Sequence, residues 1–365
     1  MKSKLGRLEA LRGFAAFYVV IHHTFRGKLM LGGIDLSFLF RFGQEAVILF
    51  FVLSGFVIEL AYNRSSDKSF STFFQKRFFR IYIPLVFAFL LNIVFNWQAL
   101  SQAESFPVRE LVGNLFMLQD VSALKTNVIC DPFLGNDPLW SLSYEWWFYM
   151  LFFALRTRFG NRSSSIVYIV SVVAAVSYCF YPFFVNRELM YFIIWWIGAD
   201  IARLYVAREK INLPALKKPM LALVACIVAL AANVWFNRDS IAAELGLRSI
   251  GVSPYLELRH FVFAGVAVCL ALLWAKMNWI FFRYSIGLFE RFASFSFGVY
   301  ILHWFMISHA TYMSFLHNQV LEYVVYFVVC FATAYLIERV IYPRLSSFLR
   351  HKLSGGPKTT IEPGR

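Results

Sequence analysis

The run Ile81-Tyr82-Ile83-Pro84-Leu85-Val86-Phe87-Ala88-Phe89-Leu90-Leu91-Asn92-Ile93-Val94-Phe95-Asn96-Trp97 holds no Asp, Glu, Lys or Arg over seventeen residues. That is close to the ~20 apolar residues a helix needs to cross ~30 Å of hydrocarbon. Comparable runs follow at 166–181, 189–202, 219–236 and 323–337. Across all 365 residues, 59% are hydrophobic, 19% aromatic and only 15% charged, with a mean hydropathy of +0.61. Soluble domains carry roughly 25% charged residues, so a water-soluble core of this length does not hide the excess. The bilayer is the solvent, and the fold class is an all-α polytopic membrane bundle.

Apolar runs read against turn signals give ten spans, near 10–25, 44–62, 79–97, 138–155, 164–182, 188–205, 218–236, 256–275, 293–313 and 320–342. Of the 35 Lys and Arg, 25 fall on the segments that share a side with the N-terminus and nine on the opposite side, with Arg12 inside the first span. This asymmetry places both termini in the cytoplasm. It also explains the net charge of +14 without nucleic acid, because the basic residues punctuate apolar runs and form no cationic block. Residues 1–350 read as one transmembrane domain and 351–365 as a disordered cytoplasmic tail. The segment 98–137 is the longest on the outer side and is expected to cap the outer mouth of a cavity. The first apolar run carries Arg12 and a His pair and lacks a small-residue cleavage site, so it is expected to persist as helix one. The five cysteines show no ligand spacing, which supports neither a disulfide framework nor a metal site. No signal for an oligomeric state is present.

Ionisable side chains inside apolar helices cost ~2.5–3.5 kcal/mol each on insertion scales and so mark candidate sites. Arg12 and His23 are eleven residues apart, which returns to within ~20° of the same direction after a rise of ~16 Å. Both therefore face one groove, Arg12 near the cytoplasmic surface and His23 about halfway through. The bland alternative is a snorkelling Arg12 and a His pair that holds helices together. His22, rotated ~100° away, reads as structural. Arg77 and Arg80 share a face at i, i+3 and suit phosphate oxygens through bidentate guanidinium groups; simple positive-inside anchoring competes. In Pro138-Leu139-Trp140-Ser141-Leu142-Ser143-Tyr144-Glu145-Trp146-Trp147-Phe148-Tyr149, the acid Glu145 among Trp140 and Tyr149 resembles a carbohydrate-binding platform. An aromatic belt accounts for Trp140 but not for Glu145. His303 is expected near mid-membrane, either as a cavity group or as a core histidine. Glu338 lies within a turn or two of the cytoplasmic end, beside Arg339 and Arg344.

At these residues the chain resembles the acyltransferase 3 family of membrane O-acyltransferases, from about Leu8 to Pro343. Arg12-Gly13 with His23 is similar to the family's first-helix signature. Phe50-Phe51-Val52-Leu53-Ser54-Gly55-Phe56 is similar to its second-helix motif, and Arg77 with Arg80 to its RxxR element. Trp140 to Glu145 with Phe148-Tyr149, and Ser296-Phe297-Gly298-Val299-Tyr300 with His303, resemble two later motifs. Many members carry an acid just before the second-helix run; this chain has Ile48 there, with Gln44 and Glu45 upstream. The chain is similar to the stand-alone type without an SGNH domain.

The resemblance implies an acyl-CoA cosubstrate, usually acetyl-CoA, and no metal. It implies a hydroxyl of a sugar or lipid-linked glycan as acceptor, surrounding membrane lipid, and the bacterial inner membrane as location. Residues matching Arg12, His23, Arg77 and Arg80 are implied to be essential. Coenzyme A phosphates would dock on Arg77 and Arg80, with Arg12 neutralising or orienting the donor. His23 would act as general base or carry the acyl group as a relay. Glu145 would bind acceptor hydroxyls or orient a histidine, while Trp140, Tyr149 and His303 would contact the acceptor. A glycan or proton-coupled carrier is the rival class, although no inverted repeat is visible. A membrane scaffold would leave the clustered polar residues without a purpose.

Overall fold

The computed structural model describes residues 2–25, 30–31, 34–245 and 251–353. Helices α1 (Lys2–Phe25), α2 (Gly43–Arg64) and α3 (Phe70–Phe95) come first, then the short α4 (Trp97–Gln102) and α5 (Val108–Leu115). Next are α6 (Trp140–Phe159), α7 (Ser163–Phe180), α8 (Phe184–Val206), α9 (Lys217–Leu245) and α10 (Tyr255–Lys276). The chain closes with α11 (Ser296–His303), α12 (Gln319–Tyr335) and α13 (Tyr342–Leu353). Two π-helical stretches, Trp304–Ser308 and Leu336–Ile341, continue α11 and join α12 to α13. The only strand pairing among the described residues is β1 (Met30–Leu31) antiparallel to β2 (Ile34–Asp35).

Each expected span overlaps a helical stretch, the ninth mainly over Ser296–Ser308. Seven helical stretches are long and apolar enough to cross a membrane, and one of them, Asp137–Phe180, is folded as α6 and α7. The stretch Ser296–Ser308 is apolar but shorter, and α1 is not among the seven. Of the tail expected at 351–365, residues 351–353 end α13, and 354–365 lie outside the described residues.

The distribution of polarity is that of a bilayer protein. Phe180, Leu221, Ile169, Val228 and Val328 face outward, with Phe180 85% exposed. Glu59, Arg187, Glu257, His260 and His303 are buried inside. In hydrocarbon a charge is tolerated when it faces other protein groups. Glu59 of α2 meets Arg203 of α8 at 3.1 Å and Arg156 of α6 at 3.4 Å, tying three helix ends together.

The tightest crossing is α2 on α8, and two glycines allow it. A Cβ on Gly55 would sit 1.9 Å from the carbonyl oxygen of Trp195, and one on Gly198 would sit 1.9 Å from that of Val52. Small residues at such contacts let backbones approach where no hydrophobic drive exists between helices. α1 is seated in the same way, with Gly13 against the Phe289 carbonyl.

The outer segment 98–137 is pinned over the bundle. Lys125 Nζ meets Asp120 at 2.9 Å, Tyr144 of α6 donates to Asp120 at 2.7 Å, and Arg187 of α8 donates to the Thr126 carbonyl at 2.8 Å. Asn136 donates to the Ile301 carbonyl on α11 at 3.0 Å. Burial lowers the Lys125 pKa, and Asp120 acts in the opposite sense.

Candidate active site

A cavity of about 560 Å³ lies between α1, α2, α3, α6, α11 and the junction of α12 with α13. This is within the usual range of ligand pockets. Its mouth is formed by exposed residues, Glu9, Ser294, Arg339 and Pro343, at the end of the bundle that holds the α1 N-terminus. Its far end is closed by buried Val47, Phe51, Leu142 and Tyr300. Charge thus concentrates near the opening, and apolar and aromatic surface at depth.

Four guanidinium groups line this cavity, that of Arg339 at the mouth and those of Arg12, Arg77 and Arg80 further in. Arg80 on α3 is ion-paired with Glu338 of the π-helical stretch, and its guanidinium lies 5.1 Å from the Phe297 ring centre and 5.5 Å from that of Tyr342. Arg77, one turn earlier, lies 5.7 Å from the rings of both Phe73 and Tyr149, and its Nε has no hydrogen-bond partner among the described residues. Neither Arg77 nor Arg12 forms an ion pair with a carboxylate among the described residues. Two cations therefore face the space with no protein anion in contact, which is the electrostatic form of an anion site.

Glu145 lies opposite, on α6. Ser54 Oγ of α2 donates to its Oε1 at 2.9 Å, and Tyr149 donates to the same oxygen. Trp195 Nε1 donates in turn to Ser54 Oγ at 3.2 Å, so the carboxylate is held by a chain of donors from three helices. Its second oxygen has no hydrogen bond among those of the described residues.

Five expected site residues, Arg12, Arg77, Arg80, Glu145 and Tyr149, therefore share one cavity. His23, His303 and Trp140 do not line it. The expected common groove for Arg12 and His23 is corrected here. Both point the same way from α1, but Ala16 and Val19 lie between them on that face and are 0% and 1% exposed. Close packing covers both of these side chains. His23 instead packs among other rings, edge-on to His22 and Trp304 with centroids 4.8 and 5.0 Å away and tilted against His303 at 5.4 Å. His303 Nδ1 lies 2.8 Å from the Tyr300 carbonyl oxygen, which only accepts, so Nδ1 carries the proton. Its Nε2 is buried and has no hydrogen-bond partner among the described residues. Tyr300 connects the two regions: it lines the cavity, and its ring centre is 6.2 Å from that of His303.

Trp140 is turned to the other side of α6, where Lys125 Nζ lies 3.9 Å from its ring centre. Cation–π contact with that lysine occupies the face expected for a sugar. Glu338 pairs with Arg80 and not with Arg339 or Arg344. Glu45 is paired with Arg259 at 2.5 Å and lines no part of the cavity. His22 is structural as expected, bonded through Nδ1 to the Phe40 carbonyl. Ser54, Phe297 and Tyr300, quoted above only as parts of motifs and given no role, join the site together with Tyr342, which was not named; a lone hydroxyl in the apolar run Phe50–Ile58 was the available signal for Ser54.

Fold and site together define a multi-pass membrane protein that encloses a cation-lined cavity within its helices. The Acyltransferase domain family matches residues 5–339, and the chain belongs to this acyltransferase 3 family. It is similar to the acyltransferase MdmB of Streptomyces mycarofaciens, 34% identical over 154 residues, 41% of this chain and 38% of that protein. It is also similar to the O-acetyl transferase of Shigella phage Sf6, 30% identical over 202 residues, 52% of this chain and 56% of that protein. The matched regions thus span well under two thirds of either relative. No solved structure matches the chain.

Proposed function

We propose that this protein transfers an acyl group, in the first instance acetyl, from acyl-coenzyme A to a hydroxyl of a cell-surface or lipid-linked carbohydrate. It does so from the bacterial inner membrane, crossed ten times, with both termini in the cytoplasm. The observation that carries the donor is the pair of guanidinium groups, Arg12 and Arg77, that face the cavity beside Arg80 with no carboxylate of their own. Phosphates of a cytosolic nucleotide thioester supply the missing anions, and the uncharged arm and acyl end suit the apolar depth. The name of the phage relative, an O-acetyl transferase, supports acetyl as the group and oxygen as the acceptor atom.

The acceptor oxygen attacks the thioester carbonyl carbon, the C–S bond breaks, and the hydroxyl proton passes through a base to the thiolate, with no net proton change. His23 is that base, since imidazole is the side chain most often used to take a proton from a hydroxyl, with His303 as its ring neighbour. Transfer then requires the thioester end, or the acceptor, to pass the contact of Phe50 with Tyr300, whose ring centres are 5.9 Å apart. Glu145 holds an acceptor or donor hydroxyl with its second oxygen while Ser54 and Tyr149 fix the first.

Purified protein in nanodiscs, supplied with radiolabelled acetyl-CoA and candidate glycans, tests the reading. Label is expected to move to glycan. Glycan transport without consumption of acetyl-CoA would replace the enzyme reading with a carrier.

A further inference from the structure

A second hollow, of about 310 Å³, adjoins the first between the N-terminal part of α1 and the C-terminal end of α2. It shares Glu9, Arg12 and Val57 with the main cavity. Its remaining wall is Leu5, Leu8, Leu60, Ala61 and Arg64. Arg64 is the last residue of α2 and is exposed; like Arg12, it has no ion pair or hydrogen bond through its side chain among the described residues. The hollow is thus a mainly aliphatic groove that holds one carboxylate, Glu9, and two cations without an ion pair among the described residues, Arg64 and Arg12, of which Arg12 and Glu9 also face the main cavity.

The order of these features follows the order of groups in coenzyme A. From one end that molecule presents a flat adenine, a ribose with a 3′-phosphate, a pyrophosphate, then the uncharged pantetheine arm and the thioester. From the side groove inward the protein presents an aliphatic wall with Arg64, then Arg12 at the junction with Arg77 and Arg80 beyond, then the aromatic end of the main cavity. We infer that the side groove is the nucleotide subsite: the aliphatic wall of Leu5, Leu8, Leu60 and Ala61 takes the adenine face, and Arg64 takes the ribose 3′-phosphate. This inference rests on the donor reading above. It assigns to Arg64, which belongs to none of the motifs quoted earlier, the selection of coenzyme A over thioesters that lack the 3′-phosphate. A phosphate on an apolar body also describes a phospholipid, so the test separates the two sources.

The full chain in nanodiscs is titrated calorimetrically with coenzyme A and with 3′-dephospho-coenzyme A, as wild type and as Arg64→Gln. Removal of the 3′-phosphate is expected to weaken wild-type binding about tenfold, the size of one charge-assisted contact. Arg64→Gln is expected to bind coenzyme A as weakly as wild type binds the dephospho form, with no further loss when the phosphate is removed. Ala61→Trp, which fills the groove, is expected to weaken both ligands by the same factor. A dephospho penalty equal in wild type and Arg64→Gln would overturn the subsite, as would unchanged binding in Ala61→Trp. Loss of co-purified anionic phospholipid in Arg64→Gln, with the dephospho penalty intact, would make the groove a lipid site and also overturn it. Failure of wild type to bind either nucleotide would overturn the donor reading itself, a result distinct from all of these.

Discussion

Arg80 and Glu338, 258 residues apart in the chain, form an ion pair on the wall of the main cavity and join α3 to the π-helical stretch before α13. The two partners are unequally solvated: the Arg80 side chain is 28% exposed, that of Glu338 only 1%. Removing either one has a different cost for that reason. Arg80→Ala strands a buried carboxylate and is expected to destabilise by about 3 kcal/mol. Glu338→Gln leaves a guanidinium that reaches water, for a loss of about 1 kcal/mol. Thermal unfolding of the two variants in detergent measures the order; equal losses would show that the asymmetry in burial is energetically silent.

The crossing of α2 on α8 gives a second test. Alanine at position 55 or 198 places a methyl carbon 1.9 Å from a backbone carbonyl oxygen, which neither helix avoids without moving apart. The overpacking cost of about 1–3 kcal/mol exceeds the gain of ~1 kcal/mol from replacing glycine within a helix. Gly55→Ala and Gly198→Ala are expected to lower folded yield. Gly265→Ala, whose nearest neighbour is Leu223 Cδ2 at 3.5 Å, is expected to be neutral or stabilising. Parallel loss in all three would assign the effect to helix insertion and not to the crossing.

The sequence carries most of this architecture because apolar length is a local property. Each of the ten apolar runs overlaps a helical stretch, and the cost of burying charge pointed to Arg12, Arg77, Arg80 and Glu145, which share the cavity. Other relationships are set by distant parts of the chain. Periodicity gave the direction of Arg12 and His23 but not what fills the space between them, and Ala16 with Val19 closes it. Trp140 reads as a platform until Lys125, fifteen residues earlier, folds back onto its ring. α4 and α5, six and eight residues long, carry too little pattern to be distinguished from the surrounding loop. No local signal pairs Glu338 with a partner in α3, while Arg339 and Arg344 are nearby in sequence.

Outside the membrane helices, the turn from α2 to α3 predicts a pH dependence. Asp67 accepts from the Thr72 hydroxyl and from the backbone N–H and hydroxyl of Ser69, and these bonds hold its pKa below the usual carboxylate value. A carboxyl more acidic in the folded state contributes stability above its unfolded pKa of about 3.9. That contribution is lost as pH falls through the lower folded value. Asp67→Asn is therefore expected to be less stable than wild type near neutrality, with the gap closing below about pH 4. Unfolding midpoints measured from pH 7 to 3 show the convergence; a gap independent of pH would mean that the amide replaces the carboxylate only sterically.

Separation of His23 from the donor cavity predicts a division of kinetic effects. His23 lies beyond Tyr300 and lines no part of the guanidinium-lined space, so on the proposed reading its loss removes the base without removing a donor contact. His23→Ala is expected to lower kcat by at least about 100-fold, the usual scale of general base catalysis, with donor Kd unchanged. Arg77→Ala deletes a cavity cation that has no protein anion and is expected to weaken donor binding about tenfold or more, with a smaller effect on kcat at saturating donor. Calorimetric titration with acetyl-CoA beside single-turnover transfer assays separates the two parameters. Should His23→Ala bind donor as weakly as Arg77→Ala, the imidazole and the cavity would communicate directly, and the closed packing at Ala16 and Val19 would have to open during turnover.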